Sequence, residues 1–314
     1  MRGIGIEELK QERIGQVRIN HNGEKGICVG FEDNATMASI LLENGEVKKY
    51  KWSHFDKGSF GKIKYINRLG EEKINNQGEH MVIISYRNAE DIDVLFDSGY
   101  IAKTQRYSHF TLGCIKDIYF PNVQGKGFIG EGKYGISTEI HTIKVYKIWE
   151  SMLDRCYGRT ASKNNPSYKE CEVDNRWYNY QSFGHWIEDN GYSIKGQKMC
   201  LDKDILLKNN KKYGPDTCCI VPNEINVMLT NSKIKRGNYP IGVHYEKNTG
   251  KYRAVVSRKR IGSISKAFIT VEEAFLFYKE EKEKYIKYIA DIYKEQIPIH
   301  IYKALYNYKI EITD

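Results

Sequence analysis

The sequence predicts an α+β chain built from several small domains, and three observations carry that prediction. A strand-rich segment occurs twice, displaced by 55 residues; a glycine-rich stretch then interrupts it and gives way to helical periodicity; and the last third reads as three short strands running into a long capped helix. At ~100 to 200 residues per domain, the 314 residues hold two or three such units, each able to bury a core.

The first copy of the repeat starts at Arg13 and the second at Arg68. Arg13/Arg68, Gly15/Gly70, Ile19/Ile74, Asn20/Asn75, Gly23/Gly78 and Glu24/Glu79 coincide, followed by Ser53-His54-Phe55 with Ser108-His109-Phe110 and Gly58 with Gly113. Within each copy, short β-rich runs such as Met81 to Tyr86 and Asp91 to Phe96 alternate with NG, QG, ENG and DSG turn signals, the punctuation of a small antiparallel sheet. Strands of this number and length predict a five-strand SH3-like barrel in each copy, over 1–62 and 63–118. His54 and His109, each beside an apolar Phe, are expected to close their barrels through a structural hydrogen bond rather than to act chemically.

Residues 119–142 are rich in Gly and lack helical periodicity, so a linker or an added hairpin is expected there. Val145, Ile148, Trp149, Met152 and Leu153 then mark a helix that stops near Gly158. Trp177, Tyr178, Phe183, Trp186 and Ile187 mark a second, ending at Asn190-Gly191. The aromatic and cysteine residues of 143–231, among them Trp149, Trp177, Trp186, Cys156, Cys171 and Cys218, suit the core of a small domain. Asp202 and Asp204 bracket Lys203 on an expected short strand, where alternation puts both carboxylates on one face and within reach of a divalent cation.

The region 232–314 begins with a basic stretch. From Gly242, GVHYEKNTGKYRAVVSRKRIGSISKAF reads as a three-stranded meander with turns at Asn248-Thr249-Gly250 and Ile261-Gly262-Ser263. Thr270-Val271-Glu272-Glu273 is a capping box opening a helix that continues toward Tyr293. Between Ser232 and Phe268 stand ten basic residues, Lys233, Lys235, Arg236, Lys247, Lys251, Arg253, Arg258, Lys259, Arg260 and Lys266, against the single acid Glu246. Their excess equals that of the whole chain, +9, and points to a polyanion partner for this one module, double-stranded DNA. Residues two apart on a strand share a face, so Lys251 and Arg253 are expected to project together, as are Arg258 and Arg260. A ribbon of strands fits a major groove, and Arg bonds guanine O6 and N7 with both ends of its guanidinium.

This module resembles the AP2-type DNA-binding domain of phage and mobile-element proteins, through Gly242-Val243, Lys251-Tyr252-Arg253-Ala254, Gly262, Phe268 and Thr270 to Ala274 leading to Tyr278. The resemblance covers about 50 residues and implies a sheet docked in the major groove with the helix behind it. The preceding segment is similar to HNH-type endonuclease domains with a ββα-metal core. Leu201-Asp202-Lys203-Asp204-Ile205 stands at the strand, Tyr213 to Cys218 at the loop and Asn223 to Leu229 at the helix. That resemblance implies Asp202 and Asn226 as ligands of Mg²⁺ or another divalent cation, with Asp202, Asp204 and Lys203 the catalytic candidates if the domain cleaves. The chain departs from the pattern at two places: Lys203 stands where the general-base His belongs, and Thr217 where a loop Asn would orient it. Lysine is ordinarily protonated at neutral pH and has no lone pair with which to take a proton from water.

No window approaches 18 uncharged apolar residues, and the segment MRGIGIEELKQERIG is charged throughout, so neither a spanning helix nor a signal peptide is expected. The expected location is the cytoplasm of a bacterial cell, on the nucleoid when DNA is bound. The seven cysteines are scattered and form no CxxC pair, which leaves buried thiols or a zinc site assembled from distant positions rather than a disulfide framework. The functional expectation is a phage or mobile-element DNA-binding protein on a nuclease-like scaffold. Two alternatives stand beside it: an active metal-dependent homing-type endonuclease, and an adaptor or inhibitor that binds a host protein through its N-terminal barrels.

Overall fold

The computed structural model of the chain describes residues 6–32, 35–61, 68–159, 168, 170–230 and 238–314. It is α+β, with several small sheets, and divides into two compact units. One comprises Met1–Glu72, Val82–Val94 and Lys103–Ser108; the other comprises Lys73–Met81, Leu95–Ala102 and His109–Asp314.

The first repeat opens with helix α1 (Ile6–Arg13), whose acids sit in the first turn and bases in the last, as the helix dipole favours. Strands β1 (Val17–Ile19), β2 (Lys25–Phe31), β3 (Met37–Leu42) and β4 (Val47–Lys51) follow as an antiparallel meander, and α2 (Trp52–Asp56) closes the copy. Cys28, Ala38, Ile40, Phe55 and Phe60 form its core. The second copy repeats the order with β5 (Glu72–Ile74), β6 (His80–Asn88), β7 (Asp91–Phe96), β8 (Ile101–Gln105) and α3 (Tyr107–Leu112).

The expected five-strand barrels are corrected to four-strand sheets, neither of them closed among the described residues. After the fourth strand the chain coils at the Ser-His-Phe motif instead of extending. That turn of helix carries Phe55 and Phe110 into the interior, where burial of a large ring outweighs one more strand pairing. The two histidines are exposed, and among the described residues their main-chain carbonyls accept from the Ser59 and Cys114 amides.

The repeat has a physical cause at each matched position. The Asn20 side chain is buried, and its Oδ1 accepts from the Asn22 and Glu24 amides while its Nδ2 donates to Glu24 Oε2 and the Phe60 carbonyl. Asn75 makes the same set with Gln77, Glu79 and Ile115. The amides of Gly15 and Gly70 donate to the carbonyls of Cys28 and Ile83, and the guanidinium groups of Arg13 and Arg68 lie 4.7 and 4.0 Å over the rings of Trp52 and Tyr107.

In the other unit, a two-strand ladder of β9 (Glu139–Ile140) and β10 (Ile143–Lys144) leads into α4 (Val145–Tyr157). β11 (Glu172–Val173), a 3-10 turn at Asn175–Trp177 capped by the Asp174 side chain, and α5 (Tyr180–Asn190) come next. The glycine-rich stretch is packed rather than a free linker: Tyr134 is buried, and the Gln181 amide exchanges hydrogen bonds with the Ile129 and Tyr134 backbone.

Strands β12 (Met199–Asp202) and β14 (Cys219–Pro222) pair antiparallel, β13 (Lys212–Tyr213) pairs parallel with β11, and α6 (Asn223–Leu229) follows β14 directly. All four β14 residues are buried because the hairpin has a core on each side. Met199, Leu201, Cys218 and Ile220 join the aromatic core of α4 and α5, while Cys219, Val221 and Ile225 join the core of the C-terminal module.

That module is the antiparallel sheet β15 (Val243–Glu246), β16 (Lys251–Val256) and β17 (Ile264–Phe268), then α7 (Val271–Tyr293) and α8 (Ile299–Tyr306). The capping box is present, with Thr270 Oγ1 accepting from the Glu273 amide and Glu273 returning to the Thr270 amide. Gly242 has φ +74 and lies against the Tyr278 ring, where any Cβ would overlap the ring. The boundary expected at 231/232 does not separate two cores, since Val221 and Ile225 share one buried cluster with Val243, Tyr278 and Ile286.

Candidate nucleic-acid interface

Strand alternation sorts the basic residues of the sheet. Tyr252, Ala254 and Val256 turn toward α7, which leaves Lys251, Arg253 and Val255 on the outer face. The register places His244 opposite Arg253 and Glu246 opposite Lys251 on β15, and Ser265 and Ala267 on the same outer face of β17. Lys251 and Arg253 therefore project together, as expected. Glu246 accepts from Arg253 through Nε and, at 3.0 Å, through Nη2, and the guanidinium holds the Glu246 carboxyl below its ordinary range. The face thus exposes cations whose one acidic neighbour is already neutralised.

The other expected cations serve different ends. Arg258 and Arg260 do not share a strand face, because β16 ends at Val256 and both lie in the turn beyond it. Arg258 donates through Nε to the Gly262 carbonyl at 2.9 Å and lies 3.5 Å from Glu281 of α7. Arg260 donates to Glu224 of α6 at 2.8 and 2.6 Å and to the Tyr293 hydroxyl at 3.2 Å. Lys266 is opposite Ala254 on the helix-facing side, its ammonium 5.3 and 5.8 Å from the rings of Phe268 and Phe277. Lys247 and Lys259 are exposed and, like Lys251, have no ion-pair partner among the described residues. Lys233, Lys235 and Arg236 lie outside the described residues. Counting only Lys and Arg overlooks His244, which the period of two from Glu246 would have placed on the outer face.

The suspected catalytic segment is arranged differently from its sequence reading. β12 stops at Asp202, so Lys203 and Asp204 follow the strand and the two carboxylates do not share a strand face. Asp202 Oδ1 accepts the Asp204 and Ile205 amides, both at 2.8 Å, and this local turn ends the strand. Burial pushes the Asp202 carboxyl above the ordinary carboxylate range. Lys203 is 7% exposed and its ammonium bridges both Asp204 oxygens, at 2.9 and 2.7 Å, and the Asn210 carbonyl at 2.6 Å. Asn226 lies on α6, its carbonyl accepting from Thr230 Oγ1.

A divalent cation of the kind the nuclease resemblance implies does not fit this set. One Asp202 oxygen holds two amides, Asp204 is held by an ammonium, and no three His, Cys, Asp or Glu side chains converge among the described residues. The cysteines are free thiols; burial pushes Cys156 and Cys218 each up to about 12, as suits core groups, and the exposed Cys114 belongs to no group of three possible ligands among the described residues. His185 is engaged elsewhere, its Nδ1 3.1 Å from the Tyr134 hydroxyl, which donates to Glu188 at 2.5 Å.

No family model, curated protein or solved structure matches the chain. None of the helices among the described residues is long and apolar enough to cross a membrane.

Proposed function

We propose that the chain binds double-stranded DNA through the outer face of β15, β16 and β17, in the manner of the AP2-type domains it resembles, and that it does so without cutting. The observation that carries this reading is a sheet whose one face packs on α7 while the other presents His244, Lys251 and Arg253, with Lys247 at the adjoining turn. Strands spaced ~4.8 Å apart make a ribbon about 10 Å across, and a major groove about 12 Å wide admits such a ribbon. Arg253 supplies the planar donor fork suited to guanine, held in place by Glu246. The reading without cutting is supported by Lys203 standing in the place of a base and by a donor set that does not suit a metal ion.

The test is binding of the full chain to labelled duplex DNA across a salt series with Mg²⁺ present, the DNA then run on a denaturing gel. With four phosphate contacts, affinity is expected to fall about 100-fold between about 50 and 200 mM salt, with both strands intact. Failure to bind at the low-salt end overturns the DNA-binding reading. Nicked strands overturn the conclusion that cutting is absent.

A further inference from the structure

A cleft of about 370 Å³ opens where the start of β12, the start of α6 and the β16–β17 turn meet, lined by Gln197, Lys198, Asn223, Glu224, Lys259 and Arg260. It is at the opposite end of the β12–β14 hairpin from Asp202: Met199 pairs with Pro222 at the cleft end and Asp202 with Cys219 at the other, ~10 Å along the strand. The only acid in the lining, Glu224, has both oxygens occupied by Arg260 and the Tyr293 hydroxyl, and the Arg260 guanidinium holds its carboxyl below the ordinary range. Lys198 and Lys259 are exposed, and their ammonium groups have no hydrogen-bond or ion-pair partner among the described residues, the Lys198 main-chain carbonyl alone accepting from the Asn223 amide. The cleft is therefore a concave site with two uncommitted ammonium groups, two amide side chains and a neutralised carboxylate.

We propose that this cleft seats a phosphodiester of the DNA backbone, held by Lys198 and Lys259, with Gln197 and Asn223 completing its hydrogen bonds. Lysines bind phosphate as point charges, and amide side chains fix a backbone in register without reading sequence. The space exceeds that of a phosphate alone; at ~30 Å³ per water it admits the group with much of its hydration, so bridging waters are part of the contact. The proposal rests on the DNA-binding reading and extends it from the sheet to a second footing formed by the hairpin and α6.

The experiment compares Lys198→Gln, Lys259→Gln and Lys251→Gln in the full chain, measuring affinity for a duplex of arbitrary sequence over a salt series. Lys198 is exposed and outside both cores, so its substitution leaves the fold intact. Lys198→Gln and Lys259→Gln are each expected to weaken binding about 5- to 10-fold, to reduce the slope of log K against log salt by about 1, and to leave the preference among sequences unchanged. A wild-type affinity and slope for Lys198→Gln, alongside a reduced slope for Lys251→Gln, overturns the cleft contact and leaves the sheet reading standing. Absence of DNA binding by the unsubstituted chain overturns both.

Discussion

Arg260 and Glu224, 36 residues apart, are joined by two parallel hydrogen bonds of 2.8 and 2.6 Å, and the Tyr293 hydroxyl donates to the same carboxylate at 2.8 Å. A residue that composition assigns to a polyanion thus ties the β16–β17 turn to α6 and α7. Arg260→Ala leaves a half-buried carboxylate with one donor, and a destabilisation of about 1 to 3 kcal/mol is expected. Urea unfolding of the variant measures it. An unchanged midpoint means that water replaces the arginine without loss.

The division of the sheet into two faces predicts opposite outcomes for cations close together in sequence. Lys251→Ala removes a contact from the outer face and is expected to weaken DNA binding roughly 10-fold. Arg253→Ala does more, because it also exposes the Glu246 carboxylate that it neutralises on that face. Lys266→Ala, on the helix-facing side, is expected to leave affinity and its salt dependence unchanged. Fluorescence anisotropy with one duplex separates the three variants, and an equal loss from Lys251→Ala and Lys266→Ala contradicts the face assignment.

The C-terminal module is legible in the sequence because its signals are local. The turn glycines at Gly250 and Gly262, the alternation through Tyr252, Ala254 and Val256, and the capping box at Thr270 and Glu273 each lie within a few residues. What becomes of the arginines is not legible, since Glu224 and Glu281 reach them from other elements. The same limit hides the end of β12. Period-2 alternation says which face a residue takes on a strand but not that Asp202 will accept the two following amides and stop it. The four-strand outcome in the repeats has a similar origin, for the fifth segment is apolar enough to be a strand and only burial of Phe55 and Phe110 makes it a helix.

The paired asparagines make the duplication testable. Asn20 and Asn75 each satisfy two amides, a carbonyl and a carboxylate, so Asn75→Ala leaves the Gln77 and Glu79 amides and the Ile115 carbonyl without their partner. A loss of about 2 to 3 kcal/mol is expected, and the same for Asn20→Ala in its own copy. Asp in either place keeps the acceptor but sets a carboxylate oxygen against the neighbouring glutamate and a main-chain carbonyl, so it is expected to recover little of the loss. Thermal unfolding of the full chain, wild type against each variant, gives the comparison. Equal stability of Asn75→Ala and wild type removes the structural explanation of the repeat.

Lys282 of α7 donates to the Met228 carbonyl at 2.8 Å, at the end of α6, and burial lowers its pKa from 10.5 to about 8. Below pH 8 the ammonium is charged in both the folded and unfolded chain, and the folded state carries the full desolvation cost. Between about 8 and 10.5 the folded chain has released this proton and the unfolded chain has not, so the group's contribution to stability rises with pH across that window. Lys282→Met keeps the apolar stem and removes the charge. At about pH 7 the variant is expected to be about 1 to 2 kcal/mol more stable than wild type, the relief of burial being offset in part by the unpaired Met228 carbonyl. Toward about pH 10 that advantage is expected to disappear, as the wild-type lysine becomes neutral on folding. Urea unfolding of both chains at the two pH values isolates this group, because every other titration is common to them. An advantage that is the same at both pH values means that Lys282 titrates as an ordinary exposed lysine.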